Sequence, residues 1–377
     1  MNLALSDEQV FLREAARGAL SRFKTLEAAR EALDGDENAL PDLWPTACEA
    51  GWPGLLIAEE HGGAGLDAFD AMLVLGECGR VLAAIELLGH LPATAMLGES
   101  SGAGELLAPL ATGERRAAYL PVCPPGDLDP RWTVDPARGS ARGAAPAAAG
   151  SGSHATVTGE LFFVPDAPGA DLLVGMALLD GAPVGFAVEA SADGVKVEPV
   201  RRYDATRSLG HVSLQGASAT LLDADADALG GAWHLAQALL AAESIGSVET
   251  ALDMSVAYAK ERHTFGRAIG SYQAVKHSLT EVLRQMDNGR SLLYYAGWAR
   301  TGAPQEFALA ASAARSVGGR ALDTAARTMI SVHGGIGATW EHDAPLYFRR
   351  AQLSRRLLGG AGSATDRVAG ELLAQAA

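Results

Sequence analysis

Apolar positions along the chain fall into two textures, helical at both ends and alternating in the middle. Ser6-Asp7-Glu8-Gln9 has the serine and glutamine of a capping box, with acids in the first turn. The segment after it, Val10 to about Leu33, predicts a helix that buries Phe11, Ala15, Leu20 and Phe23. A second helical piece runs through Leu43, Trp44 and Cys48 until Gly51-Trp52-Pro53-Gly54 breaks it. Residues 59–65 are too glycine-rich for regular structure. Asp67 to Leu88 returns to helix, with Phe69, Met72, Leu73, Leu75 and Leu82 for burial, and Pro92 to about Thr112 predicts one or two shorter helices. Residues 1–114 therefore read as an all-helical unit.

Near Arg116 the period changes from helical to alternating. Val157-Thr158, Leu161 to Val164, Leu172 to Leu179, Val184 to Val188, Val195 to Val200 and His211 to Leu214 are short β-type runs broken by Pro, Gly and Asp. That is the texture of a small antiparallel barrel or sandwich, spanning 115–226. Asp135 to Ser153 is low in complexity (Ala, Gly, Ser, Pro) and predicts a flexible loop rather than a strand. Helical periodicity then resumes for 227–377. Leu235, Leu239, Ile245, Val248, Leu252 and Val256 form one stripe, and Leu279, Val282, Leu283, Met286 and Leu293 another. Residues 307–332 are apolar nearly all round, as a buried helix is. Gly359 to Gly362 breaks the chain before a last helix. The expected architecture is mainly α with a middle β domain: an N-terminal helical domain, a β-barrel-like domain and a C-terminal antiparallel four-helix bundle.

Composition narrows the function classes. The chain has 377 residues, 48% of them hydrophobic, and a net charge of −15. An acidic surface argues against a sequence-independent grip on nucleic acid or an anionic membrane, but a few local arginines can still hold a small anion. No window has the apolar length of a membrane span, and the N-terminus shows no signal segment. Cys48, Cys78 and Cys123 lack the spacing of a disulfide framework or zinc site and read as small buried apolar residues. A reducing cytoplasm is the expected compartment.

Chemistry concentrates in two stretches. Arg262-His263-Thr264-Phe265-Gly266 falls at a bend between two helices, and Tyr272-Gln273 opens the second. Arg grips phosphate bidentately, the Thr hydroxyl and the open N–H groups of a helix start add donors, Phe packs on a flat ring, and Gly permits close approach. An ordinary interhelical turn with a solvated arginine explains the same residues. The second stretch, Val332-His333-Gly334-Gly335-Ile336-Gly337, can form an anion nest or a simple helix-ending turn.

Together these stretches resemble the acyl-CoA dehydrogenase family of flavoproteins. Arg262-His263-Thr264-Phe265-Gly266 with Gln273 matches its R-x-x-F-G…Q element. His333-Gly334-Gly335-Ile336-Gly337 with Trp340-Glu341-His342-Asp343 and Arg349-Arg350 matches its second C-terminal motif. Trp52, Glu59-Glu60 and Gly62-Gly63-Ala64-Gly65 resemble its N-terminal stretch, with Ala58 in place of Pro. Val157-Thr158-Gly159 and Ala170-Asp171 resemble a middle-domain pattern, with Val in place of Leu. The resemblance implies FAD as cofactor, contacted by Arg262, Thr264, Phe265, Gln273, Gly334, Gly335 and Gly337 across a subunit interface. It also implies α,β-desaturation of an acyl-CoA thioester and an electron-transfer flavoprotein or similar acceptor.

The chain departs from that pattern where the family keeps its base. The loop before the last helix reads Leu357-Leu358-Gly359-Gly360-Ala361, without an acid. The alternative position on the first bundle helix falls near Ala236-Gln237, again without one. His234 is close enough to take a proton but is more simply structural. Glu243 reads as a buried polar partner before it reads as a base. Pro121 to Asp127 and Phe163 to Asp166 also differ from the family segments that hold the flavin ring and thioester. Three readings follow. In the first, the chain is the non-catalytic subunit of a heteromer whose second dehydrogenase subunit supplies the base, as in relatives that act on steroid side-chain thioesters. In the second, it is a self-sufficient flavoenzyme with an unusual base. In the third, it is a flavin-free structural subunit.

Overall fold

A computed structural model describes residues 4–36, 38–122, 133–134, 142–143, 145–151, 154–201 and 203–376. The N-terminal part holds α1 (Asp7–Leu20), α2 (Thr25–Leu33), α3 (Trp44–Glu49), α4 (Ala68–Arg80), α5 (Leu87–Gly98) and α6 (Gly104–Ala111). The capping box at Ser6 forms in both directions, Gln9 N–H to Ser6 Oγ and Ser6 N–H to Gln9 Oε1. What reads as one helix from Val10 to Leu33 is two, divided at residues 21–24. The buried face of α1 keeps Leu20 but departs from the expected one at Phe11 and Ala15. Ala16 and Leu20 are buried, whereas Ala15 is exposed and Phe11 is 73% exposed. The face is turned by polar contacts, since Arg17 pairs with Glu77 and Gln9 donates to Asp70, both on α4.

The middle part holds β1 (Ala117–Leu120), β2 (Thr133–Val134), β3 (Arg142–Gly143), β4 (Ala147–Ser151), β5 (His154–Pro165), β6 (Leu172–Leu179), β7 (Ala182–Glu189), β8 (Val195–Pro199) and β9 (Leu209–Leu222). Strands β6, β4, β5, β9 and β7 pair in that order, and β7 pairs back onto β6, so the sheet closes on itself. Most pairs are antiparallel, but β1–β6 and β4–β6 are parallel. The loop expected over Asp135 to Ser153 is thus corrected at β3 and β4; Ala145 and Pro146 carry no regular structure, and its other positions lie outside the described residues. Strand β4 is built from Ala, Gly and Ser. Pairing with β5 and β6 uses backbone groups alone, so composition does not forbid it. Cys123 to Asp127 also lie outside the described residues, while the neighbouring Val122 is buried.

The C-terminal part begins with α7 (Ala226–Glu261), 36 residues long and capped by Asp225, whose carboxylate accepts the N–H of Ala228. A hairpin of β10 (His263–Thr264) and β11 (Arg267–Ala268) follows. Then come α8 (Gln273–Gly302), α9 (Pro304–His333), α10 (Ala344–Ser354) and α11 (Gly360–Ala376). Helices α7, α8, α9 and α11 form the bundle, with α9 packed against the other three. From residue 228 to 248, α7 is buried on every side rather than along one stripe, because α4 and α5 cover the face that the bundle leaves open. Leu283 of the expected α8 stripe is exposed, and α11 starts inside the Gly359 to Gly362 run instead of after it. One apolar core runs from Trp52 and Leu91 through Val174 and Phe186 of the sheet to Leu239 of α7.

Candidate cofactor-contact site

Arg262 ends α7, its N–H donating to Tyr258 O at 2.8 Å. The chain then turns through Phe265 and Gly266, at φ 50° and 78°, between paired Thr264 and Arg267. A two-residue turn with both φ positive matches the twist of a hairpin, but Phe is strained in it. The loop is nonetheless fixed. Tyr272 Oη donates to Thr264 O at 3.1 Å, the Arg267 guanidinium lies 4.1 Å over the Tyr272 ring, and Ile269 N–H donates to Arg262 O at 2.8 Å. This rigid prong holds the Phe265 ring 97% exposed. The side chains of Arg262, Thr264 and Gln273 make no hydrogen bond or ion pair among the described residues. Tyr272 gives α8 no side-chain cap, so the first N–H groups of that helix stay open.

The second loop starts at Gly334, which caps α9 at φ 63°. Gly334 and Gly335 are exposed, with open space where a Cβ would stand. Gly337 instead faces inward. A Cβ there would sit 2.8 Å from both Ile330 O and His333 Cβ, so its role is to let the turn fold back on α9. The two loops lie at one end of the bundle. The Tyr258 ring, one turn before Arg262, packs 4.4 Å from His333, which immediately precedes Gly334. The structure therefore brings Arg262, Thr264, Phe265, Gln273, Gly334 and Gly335 to a common end, with Gly337 shaping the second loop from inside. Exposed Ile336 and Trp340 extend the same surface. An exposed guanidinium, a hydroxyl, an amide, open N–H groups and a presented ring fit a diphosphate-bearing ligand with a flat ring system.

A separate cavity of about 980 Å³ lies between the end of β5, the 200–209 segment, the middle of α9 and the 353–365 segment. Phe162, Phe163 and Tyr203 line it on one side, and the whole Leu357 to Ala361 loop on the other. Leu358 is buried at φ 52°. The loop's carbonyls are held from below. Gln237 Nε2 donates to Leu358 O at 2.6 Å, and buried Arg315 donates to Ser354 O at 2.6 Å and Leu357 O at 3.2 Å. Burial lowers the Arg315 pKa to about 10, and the ends of α10 offer it carbonyl dipoles rather than a carboxylate. Among the described residues that line the cavity the only carboxylate is Asp323, engaged by Arg327 at 3.0 Å and Gln352 at 2.6 Å.

His234 is not among the residues lining this cavity. It is buried against Phe307, and burial pushes its pKa down to about 4. Glu243 is ion-paired to both Arg207 and Arg350, and Arg350 also binds Asp204 at 2.7 Å. Burial works against the Asp204 carboxylate, but Arg350 and Thr206 hold it below the usual range.

Asp166 was not singled out as a titrating group by the sequence. It lines a smaller cavity of about 320 Å³ with Glu86, Arg116 and Arg207. Its carboxylate accepts the N–H of Gly89, in the first turn of α5, at 2.7 Å. Burial raises its pKa to about 7, with Glu86 adding to the shift. Nothing local marks it, because residues 89 and 166 meet only when α5 packs on the sheet.

Residues 6–124 match the acyl-CoA dehydrogenase N-terminal domain and residues 231–373 the acyl-CoA dehydrogenase C-terminal domain. The acyl-CoA dehydrogenase IpdE2 of Mycolicibacterium smegmatis is 31% identical over 94% of this chain and 96% of its own length. Among solved structures, the ChsE4–ChsE5 complex from Mycobacterium tuberculosis contains a chain that is 26% identical, with TM-score 0.86 over 99% of both chains. A chain of a variant of the Tcur3481–Tcur3483 steroid ACAD is 27% identical, with TM-score 0.85 over 98% of both.

Proposed function

Because the chain belongs to the acyl-CoA dehydrogenase family of FAD-dependent oxidoreductases acting on CH–CH groups, we propose that it is the base-lacking subunit of a heteromeric dehydrogenase and completes a partner subunit's FAD site. When bound, FAD supplies the hydride acceptor for α,β-desaturation. This chain contributes binding. Arg262 and the N-terminal N–H groups of α8 hold phosphate, Phe265 covers the flat adenine end, and the Gly334–Gly335 backbone admits the ligand closely. The partner provides the carboxylate that removes the α-proton.

The observation that carries this reading is the contrast between the two regions. The prong at 262–267 stands exposed and rigid, while the loop at 357–361 turns Leu358 toward the cavity where a base belongs. A base there needs an ionisable group in a desolvated pocket. The relatives named for complexes and for steroid substrates support a heterotetramer acting on a bulky acyl-CoA in lipid or steroid β-oxidation, with an electron-transfer flavoprotein as acceptor. The proposed setting is cytoplasmic, in keeping with the unpaired thiols Cys48 and Cys78. Among the described residues no helix is long and apolar enough to cross a membrane.

Asp166 favours a second reading, a self-sufficient enzyme with an unusual base, since it lines a cavity and burial pushes its pKa up to about 7. Purification separates the two. Under the first reading the chain alone is colourless, and co-expression with a dehydrogenase-like partner gives a yellow, active assembly. If the chain alone is yellow and reduces an acceptor with an acyl-CoA, the heteromer reading is wrong. If no assembly that contains it holds FAD, the chain is purely structural.

A further inference from the structure

Three rings from three segments meet between the two loops of the site. Tyr258 lies in the last turn of α7, His333 ends α9, and His342 precedes α10. The His333 ring is 4.4 Å from Tyr258 and 4.1 Å from His342. Tyr258 O accepts the N–H of Arg262, and His333 is bonded directly to Gly334. The stacked rings thus stand at the base of both loops.

The hydrogen bonds fix the tautomers. His333 Nδ1 donates to Met329 O at 2.7 Å, so its Nδ1 carries the proton. His342 Nδ1 accepts the N–H of Ala344 at 3.0 Å, so its neutral ring is protonated at Nε2. A second proton on His342 must enter at Nδ1. It would remove that bond and set a cation at the positive end of α10. Burial first, then His333 from α9 and Arg30 from α2, hold the His342 pKa below the ordinary imidazole value. The neighbouring Asp343 is already paired with Arg30, Glu341 is exposed, and Arg349 from α10 is occupied over Trp340.

We propose that His333 and His342 are positioning residues: while the His342 ring accepts the Ala344 N–H, their stack locks the Arg262–Gly266 hairpin to the Gly334–Gly337 loop, and a proton on His342 Nδ1 releases the lock. Its functional meaning, an FAD grip that loosens in acid, rests on the reading of those loops as cofactor contacts. The coupling itself does not.

Hydrogen exchange on the full chain tests it, with rates corrected for intrinsic pH dependence. In the wild type, segments 262–268 and 334–343 both exchange roughly fivefold faster near pH 5.5 than near pH 7.5, while 236–248 of α7 does not change. His342→Phe keeps a ring in the stack but cannot titrate, so its ratio between the two conditions falls below roughly twofold. His342→Gln, which is smaller and also non-titrating, gives the same loss and guards against misfolding of the first variant. The proposal is overturned if both variants keep the wild-type ratio, or if 334–343 loosens in acid while 262–268 does not. Flavin loss from the assembly in Arg262→Glu tests the other reading separately. Retained flavin would sink the cofactor assignment without touching the exchange result.

Discussion

Arg350 of α10 and Glu243 of α7 form a buried ion pair that Arg207 and Asp204 extend into a four-charge cluster. The cluster joins the segment before β9 to the bundle. Removing one acid leaves two guanidiniums buried with a single carboxylate between them. Glu243→Ala is expected to cost about 3–5 kcal/mol, read as a lower denaturation midpoint. A loss below about 1 kcal/mol would mean that water enters and solvates the arginines.

Arg262→Glu reverses a charge that has no partner among the described residues. Stability should change by less than about 0.5 kcal/mol. Flavin content of the heteromeric assembly should fall sharply, as measured by absorbance after desalting.

Phe265→Gly separates strain from contact. Glycine accepts φ 50° without penalty, so the isolated chain should gain up to about 1 kcal/mol. Loss of an exposed aromatic anchor should weaken assembly by about 2 kcal/mol. Sedimentation of the mixed subunits reads the second effect. A variant that is more stable alone and equally tight in the complex would remove Phe265 from the interface.

Asp166→Asn keeps an acceptor for the Gly89 N–H and removes the charge. The folded-state pKa of Asp166 is raised to about 7, so its stabilising contribution is complete in acid and lost as pH rises through that value. The variant should therefore be nearly neutral at low pH and gain stability on the order of 2 kcal/mol above about pH 8. Thermal melts across that window decide it. An equal shift at both ends would show that the carboxyl stays ionised throughout.

The order of helices, sheet and bundle was legible because each texture persists over many residues. Three features were not, each for a tertiary reason. Phe11 faces solvent because Arg17 and Gln9 turn α1 toward the acids of α4. Strand β4 is disguised by residues without side-chain preference, its pairing supplied by β5 and β6. Asp166 gains its unusual environment from α5, 77 residues away in sequence. The candidate loops stood out in the sequence because glycine and arginine keep their chemical meaning in any turn. The contact that couples the two loops, Tyr258 on His333, belongs to no motif and needs the bundle to exist.

The loop at 357–360 owes its shape to Gln237 and Arg315, which grip its carbonyls and not its side chains. Its carbonyls are held independently of the side chains, although Leu358 itself packs into the core at φ 52°. A scaffold of that kind can lose a reactive group without losing the contour of its pocket. On the proposed reading, Leu358 at the cavity wall is where a carboxylate can be introduced to test whether the pocket accepts a base.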